Sequence, residues 1–377
     1  MIMAKLGNNA SALFTLLQAG LWPKSDKQVT IDESVDWEEI YQLATEQSVL
    51  GIVLAGIDCL PNEQKPPKML LLQWIGEIQL LEQQNKEMNC FIGDLIEKMR
   101  SAGIYTILVK GQGVAQCYER PLWRSCGDVD LFLSDDNYEK AKAFLAPLTQ
   151  SVEKEYAREK HLGMTIDSLV VELHGRLYSG LSSRIEKELD EVYYDTFFDG
   201  NVRSWMNGDT QVFLLALEND AFYVFTHILQ HFYKGGIGLR QLCDWCRLLW
   251  TNRGKIDIKK LETRLKRAKL MTAWKAFAAF AVNYLGMPSE AMPLYDTSAK
   301  WHRKANKICN FVMKVGNFGH NRDMSYYGKK SYLMQKVISF GQRTGDLIRH
   351  ASIFPMDSMR FFPRMMYNGV ASAIRGE

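Results

Sequence analysis

Residues 128–133, Asp-Val-Asp-Leu-Phe-Leu, constrain the fold more than any other stretch of the chain. The run is short, apolar and β-prone apart from its two carboxylates, which predicts a buried strand. Side chains alternate along a strand, so Asp128 and Asp130 share one face while Val129 and Leu131 point the other way, into a core. Two residues of strand rise separate their Cα atoms by about 6.7 Å, near enough for both carboxylates to reach one cation. Two like charges beside a sheet core are costly unless a cation neutralises them. Oxygen ligands of this kind favour Mg²⁺ or Mn²⁺. The plainer alternative is an edge strand with a solvated acidic face, and the apolarity of the remaining positions argues against it.

The flanking segments fit such a site. Ile104–Val109 is a continuous β-prone run, expected as a strand buried on both faces. Lys110-Gly111-Gln112-Gly113 follows it and opens a short helix over 114–118. Glycine allows close backbone approach to a ligand, and a helix start attracts anions. The turn is not a P-loop, because the GxxxxGK[ST] order is absent. Downstream, strands are expected over 161–166 and 169–174, with Asp167 and Ser168 as the turn of an antiparallel hairpin. Glu172 and His174 then share a face. A third carboxylate there would join a metal site or serve as general base, against the alternative of a hairpin with one wet polar face.

Most of the remaining chain has helical periodicity. Residues 10–19 read as an amphipathic helix, because a signal peptide would need a basic start and a small-residue cleavage site. Helices are expected over 36–57, capped by Asp36, over 68–102, ended by Gly103, and over 138–145, capped by Ser134, Asp135 or Asp136. From Asp209 onward the pattern predicts helices over 210–233, 238–251, 258–285, 298–315 and 330–350. The class is α+β, a small mixed sheet flanked by N-terminal and C-terminal helical regions. The divisions are a helical region over 1–102, an α/β core over 103–200, a helical domain over 201–320 and a basic aromatic helical tail over 321–377. With 24% charged residues and a net charge of +3, the chain gives no strong nucleic-acid signal. No apolar run reaches the roughly 18 residues a membrane span needs. Seven scattered cysteines, an odd count, fit a reducing cytoplasm better than a disulfide framework. Cys243-x-x-Cys246 reads as two buried thiols one helical turn apart.

Three features of the helical half stand out. His227 and His231 lie one turn apart, but Ile228 stands where a zinc-protease motif needs Glu, so packing or hydrogen bonding is expected. Arg240 and Asp244, also one turn apart, would pair with each other or reach a ligand across a cleft, near the turn made by Gly235, Gly236 and Gly238. The tail from Arg322 to Glu377 carries nine Lys or Arg against four Asp or Glu, with Phe361-Phe362-Pro363-Arg364-Met365-Met366-Tyr367 as its sharpest patch. Such a tail packs on the protein or on a second subunit, or lies on an anionic membrane surface as a peripheral contact.

LVKGQGVAQCYERPLWRSCGDVDLFL, at 108–133, resembles the uncharacterised bacterial nucleotidyltransferase family of the DNA polymerase β-like superfamily, with its Lys-Gly turn, arginine and Asp-hydrophobic-Asp strand. VVELHGRL, at 170–177, and HILQHFYKGGIGLRQLCDW, at 227–245, are similar to further signatures of that family. The resemblance, over roughly residues 35–250, implies a sheet of the nucleotidyltransferase type. It implies transfer of a nucleoside monophosphate from an NTP to an acceptor hydroxyl on a small molecule, sugar or protein, with Mg²⁺ (or Mn²⁺) as cofactor. Asp128, Asp130 and Glu172 would be the catalytic and metal-binding carboxylates. Lys110, Gly111, Gln112, Arg124 and Arg240 would bind the nucleotide. The superfamily usually has Gly-Ser or Gly-Gly in the turn, and Gln112 supplies no serine hydroxyl. The alternative function is therefore a catalytically inactive nucleotide-binding or scaffold protein of the same fold, and the tail would link it to envelope polysaccharide assembly at the membrane.

Overall fold

A computed structural model describes residues 6–22, 29–156, 159–316 and 332–374. The start of the basic tail at 321–331, which includes the first two residues of the helix expected over 330–350, lies outside the described residues.

Among the described residues four α-helices precede the sheet: α1 (Asn8–Leu21), α2 (Trp37–Glu46), α3 (Leu50–Ile57) and α4 (Lys68–Ser101). Asp36 caps α2 as expected, accepting from the N–H groups of Glu38 and Glu39. The single helix expected over 36–57 is broken at Ser48, which has a φ of 56°. The break frees Gln47, whose backbone carbonyl accepts from Arg240 N–H at 3.4 Å and whose side chain accepts from Leu239 N–H at 2.9 Å. Gly103, at a φ of 73°, ends α4 in a Schellman arrangement: Ile104 N–H bonds the Met99 carbonyl and Gly103 N–H bonds that of Arg100. Gly20 and Gly56 let α1 and α3 cross with their backbones in contact. A Cβ at Gly20 would overlap the Ile52 carbonyl, and one at Gly56 that of Leu16.

Among the described residues seven strands form one mixed sheet: β1 (Ile107–Val109), β2 (Asp128–Phe132), β3 (Ser151–Val152), β4 (His161–Ile166), β5 (Leu169–His174), β6 (Val202–Asn207) and β7 (Thr210–Leu215), in the order β3-β4-β5-β2-β1-β7-β6. The β4–β5 hairpin turns on Asp167 and Ser168, both at positive φ (48° and 67°), as the type I′ geometry demands. β2 is parallel to β5 and antiparallel to β1, and β1 is parallel to β7.

Interleaved with the strands are α5 (Gly111–Ala115), α6 (Asp135–Leu145) and α7 (Ser183–Phe197). After them come α8 (Leu217–Lys234), α9 (Leu239–Thr251), α10 (Ile258–Arg267), α11 (Met271–Tyr284), α12 (Ala299–Val315), α13 (Tyr332–Ile353) and α14 (Pro355–Ile374). The helix expected over 210–233 is a correction: 210–215 is strand β7, and helix begins at Leu217. Gly208, at a φ of 59°, sits in the two-residue turn that pairs Asn207 with Thr210. The single helix expected over 258–285 is two, parted at Lys269 with a φ of 61°. The α+β class with flanking helices is as expected.

The two faces of the sheet are covered differently. Val129, Leu131, Val171 and Leu173 are buried against Ile92 and Ile96 of α4 and Tyr138, Ala141 and Leu145 of α6. On the opposite face Phe132 packs on Tyr193 and Phe197 of α7, with ring centroids 5.9 and 4.8 Å apart. That second face carries the carboxylates. Cys243 and Cys246 are fully buried free thiols, as expected. No described helix is long and apolar enough to cross a membrane.

Candidate active site

Strand alternation does what the sequence requires of it. Asp128 and Asp130 leave β2 on the face opposite Val129 and Leu131, and the parallel register sets Asp130 beside Glu172 of β5. Adjacent strands lie about 4.8 Å apart, so the carboxylates meet across the ladder. Oxygens of Asp128, Asp130 and Glu172 all lie within 4.8 Å of one another. Asp130 is 2% exposed, while Asp128 is half-buried.

Lys110 follows β1 with a φ of 56°, and Gly111 continues at 37°. A non-glycine residue held there costs about 1–3 kcal/mol, and the conformation points the lysine at the carboxylates. Its Nζ is 2.7 Å from Asp130 Oδ1 and 5.9 Å from the centre of the Tyr223 ring. His174 Nε2 reaches the same Asp130 oxygen at 2.8 Å and Glu172 Oε2 at 3.4 Å, while His161 Nε2 lies 3.2 Å from Glu172 Oε2. Among the described residues the carboxylate of Asp128 has no hydrogen-bond or ion-pair partner.

The electrostatics follow from these contacts. Burial opposes the charge of Lys110, but Asp130, Tyr223, Asp128 and Glu172 outweigh it and raise its pKa. Burial likewise opposes a charged His174, and hydrogen bonds to Asp130 and Glu172 overcome it, raising that pKa too. Burial would raise Glu172, yet its bonds from His161 and His174 and the nearby Lys110 hold it well below the usual carboxylate range. Asp128 is raised, first by the charge of Asp130 and then by burial. Three carboxylates thus gather about Lys110 and His174, and the charge of Asp130 weighs on Asp128.

The expected nucleotide ligands divide. Lys110, Gly111, Arg124 and Arg240 line the cleft with the carboxylates, opposite Tyr223, His227 and His231 of α8. The side chain of Gln112 does not. It is buried and donates to Asn85 Oδ1 at 2.7 Å, while Asn85 Nδ2 donates to the carbonyls of Leu122 and Arg124 at 2.7 and 2.9 Å. Gln112 therefore clamps the loop that carries Arg124. Arg124 gives Nε and Nη2 to the two Asp244 oxygens at 3.0 and 2.7 Å, and Tyr118 donates to the same carboxylate at 2.8 Å. Arg240 and Asp244 do not pair with each other: Arg240 Nη1 bonds the Ser125 carbonyl at 2.8 Å. Arg124 Nη1 and Arg240 Nε are buried without a hydrogen-bond partner.

His227 and His231 hydrogen-bond each other through their Nε2 atoms at 3.0 Å. Burial depresses both, His231 to about 4. Among the cleft residues that escaped the sequence argument are His161 and Tyr223. His161 was within reach of it: a turn on Asp167 and Ser168 pairs Ile166 with Leu169, and counting outward pairs His161 with His174.

No curated protein and no solved structure matches the chain. A family model does, over residues 33–286, which takes in the whole sheet, α8 and α9. That match spans well over half of the sequence, and the chain accordingly belongs to the uncharacterised nucleotidyltransferase family, a family of transferases.

Proposed function

We propose that the chain moves a nucleoside monophosphate from an NTP to a hydroxyl of an acceptor, a small molecule, sugar or protein. In this reading Asp128, Asp130 and Glu172 hold Mg²⁺ or Mn²⁺. The observation that carries it is the convergence of three carboxylates within 4.8 Å, with no hydrogen-bond or ion-pair partner for Asp128 among the described residues. An all-oxygen donor set suits a hard cation, and the raised pKa of Asp128 marks a place where added positive charge is favourable. When bound, the ion supplies positive charge to phosphate oxygens and makes a hydroxyl easier to deprotonate.

The protein's own groups do the rest by position and charge. Lys110 lies at the turn, between the carboxylates and the start of α5, where it neutralises phosphate. Arg124 and Arg240 add positive charge to the same wall. Tyr223, His227 and His231 form the opposite wall, where the acceptor or the base would rest.

A second reading, nucleotide binding without turnover, draws on the double occupation of Asp130 Oδ1 by Lys110 and His174. Calorimetry of NTP binding with and without Mg²⁺ separates the cases. We expect Mg²⁺-dependent binding by the wild type, lost in the Asp128→Ala/Asp130→Ala variant, followed by pyrophosphate release when acceptors are screened. Metal-independent binding with no pyrophosphate would favour the second reading, and a folded wild type that binds no NTP would end both. A peripheral membrane role for the tail rests on the exposed Met356, Met359 and Tyr367 of α14. Equal sedimentation with anionic liposomes after removal of residues 351–377 would sink it.

A further inference from the structure

The β4–β5 hairpin carries a donor set of a different chemistry from the three carboxylates. His161 and His174 are cross-strand partners, and their rings stack with centroids 4.7 Å apart and planes 22° from parallel. Glu172, two residues before His174 on the same face, receives both: Oε2 lies 3.2 Å from His161 Nε2 and 3.4 Å from His174 Nε2. One ligand atom from each of the three residues lies within 4.8 Å of the other two. All three side chains line the cleft.

These spacings also fit two ligands of one ion. A good N–H···O bond is about 2.7–3.2 Å long, so one contact is at that limit and the other is beyond it. Two ligands on one tetrahedral ion, each with a bond of about 2.0–2.1 Å, stand roughly 3.3–3.4 Å apart. The two contacts, 3.2 and 3.4 Å, lie close to that edge. Imidazole nitrogens with one carboxylate select borderline ions over Mg²⁺. A short hairpin with a fixed register holds the three groups without help from distant parts of the chain.

We infer that His161, His174 and Glu172 form a second metal site, selective for Zn²⁺ or a similar borderline divalent ion, beside the carboxylate site. On binding, His174 exchanges its bond to Asp130 for the ion, and Asp130 keeps Lys110. Glu172 belongs to both donor sets, so the two sites share it. The inference does not depend on nucleotide transfer and holds for an inactive protein as well.

The test uses the full chain and Co²⁺, whose visible absorption reports a four-coordinate nitrogen-oxygen environment. We expect one equivalent of Co²⁺ to produce that absorption and one equivalent of Zn²⁺ to bleach it. His161→Ala should weaken binding by more than about tenfold, the scale on which even supporting residues of metal sites act. His161→Gln should do the same, and its melting curve guards against misfolding. Asp128→Asn should leave the Co²⁺ spectrum intact while removing Mg²⁺-dependent NTP binding. Wild-type Co²⁺ affinity in both His161 variants would overturn the inference. So would loss of the spectrum in Asp128→Asn with retention in His161→Ala, which would put the ion on the carboxylates. Failure of the nucleotide reading would show elsewhere, as absent NTP binding with the Co²⁺ spectrum unchanged.

Discussion

Gln112 sits in the turn expected to bind the nucleotide, and its contacts show what it does there. Its amide meets Asn85, and Asn85 holds the carbonyls of Leu122 and Arg124. Truncation would leave Asn85 Oδ1 buried without a donor, at a cost of about 1–3 kcal/mol. Gln112→Ala should therefore lower stability in a urea titration by that amount while changing Mg²⁺-dependent NTP affinity only slightly. A large affinity loss at unchanged stability would mean that the side chain reaches the nucleotide after all. Asp244 is the harsher case. It is the bidentate partner of a buried arginine, and removing one member of such a pair costs about 3–5 kcal/mol because the other charge is stranded. Asp244→Ala should unfold at clearly lower urea than Asp244→Asn, which keeps an acceptor for Arg124. Equal midpoints would show that Arg124 finds another partner.

At the scale of elements, the α1–α3 crossing rests on the absence of two side chains. A methyl group at Gly56 would sit on the Leu16 carbonyl, which is backbone and cannot rotate away. Overpacking of this kind costs about 1–3 kcal/mol, so Gly56→Ala should shift the thermal midpoint downward, while Gly76→Ala on α4, with nothing near its Cβ, should not. Equal shifts would mean that the helices separate freely. The same elements show what the sequence could reveal. Alternation in 128–132 and 169–174 and the turn at 167–168 were legible, because a period of two and a two-residue hairpin are local signals. The parallel pairing of β2 with β5, which sets Asp130 beside Glu172, joins segments some forty residues apart, and no local pattern encodes it. Strand β7 was mistaken for helix because Gln211–Leu215 runs directly into α8, and the apolar content of the whole stretch masked the Asn207-Gly208 turn. Ser48 and Lys269 broke expected helices by adopting positive φ, which their side chains do not announce. Gln112 looked like a ligand because it sits in the right turn, and only the position of α4 shows that its amide is already engaged.

Across the whole molecule, the cleft lies between the acidic face of the sheet and α8, and the two histidines of α8 bring an acid sensitivity to that junction. His227 and His231 are held neutral by burial and by the positive charge of Lys110, joined for His231 by Lys234 and Arg240 and opposed by Glu172. His231 is depressed to about 4 from an ordinary value of 6.5. Between those values the unfolded chain binds a proton that the folded chain refuses, so stability rises with pH through the window and is lost as pH falls. One pKa unit corresponds to about 1.4 kcal/mol, and with allowance for the partial exposure of His231 its share of the loss between pH 7 and pH 4 is about 1–3 kcal/mol. His227 is shifted in the same direction and adds to it. Urea titrations at pH 7 and pH 4.5 should show the wild type losing more stability than His231→Gln, which keeps a polar side chain next to His227 but cannot take up the proton. The sign is what matters here: if His231→Gln lost as much as the wild type, the acid sensitivity would belong to groups other than His231, with His227 on the same wall the next to replace.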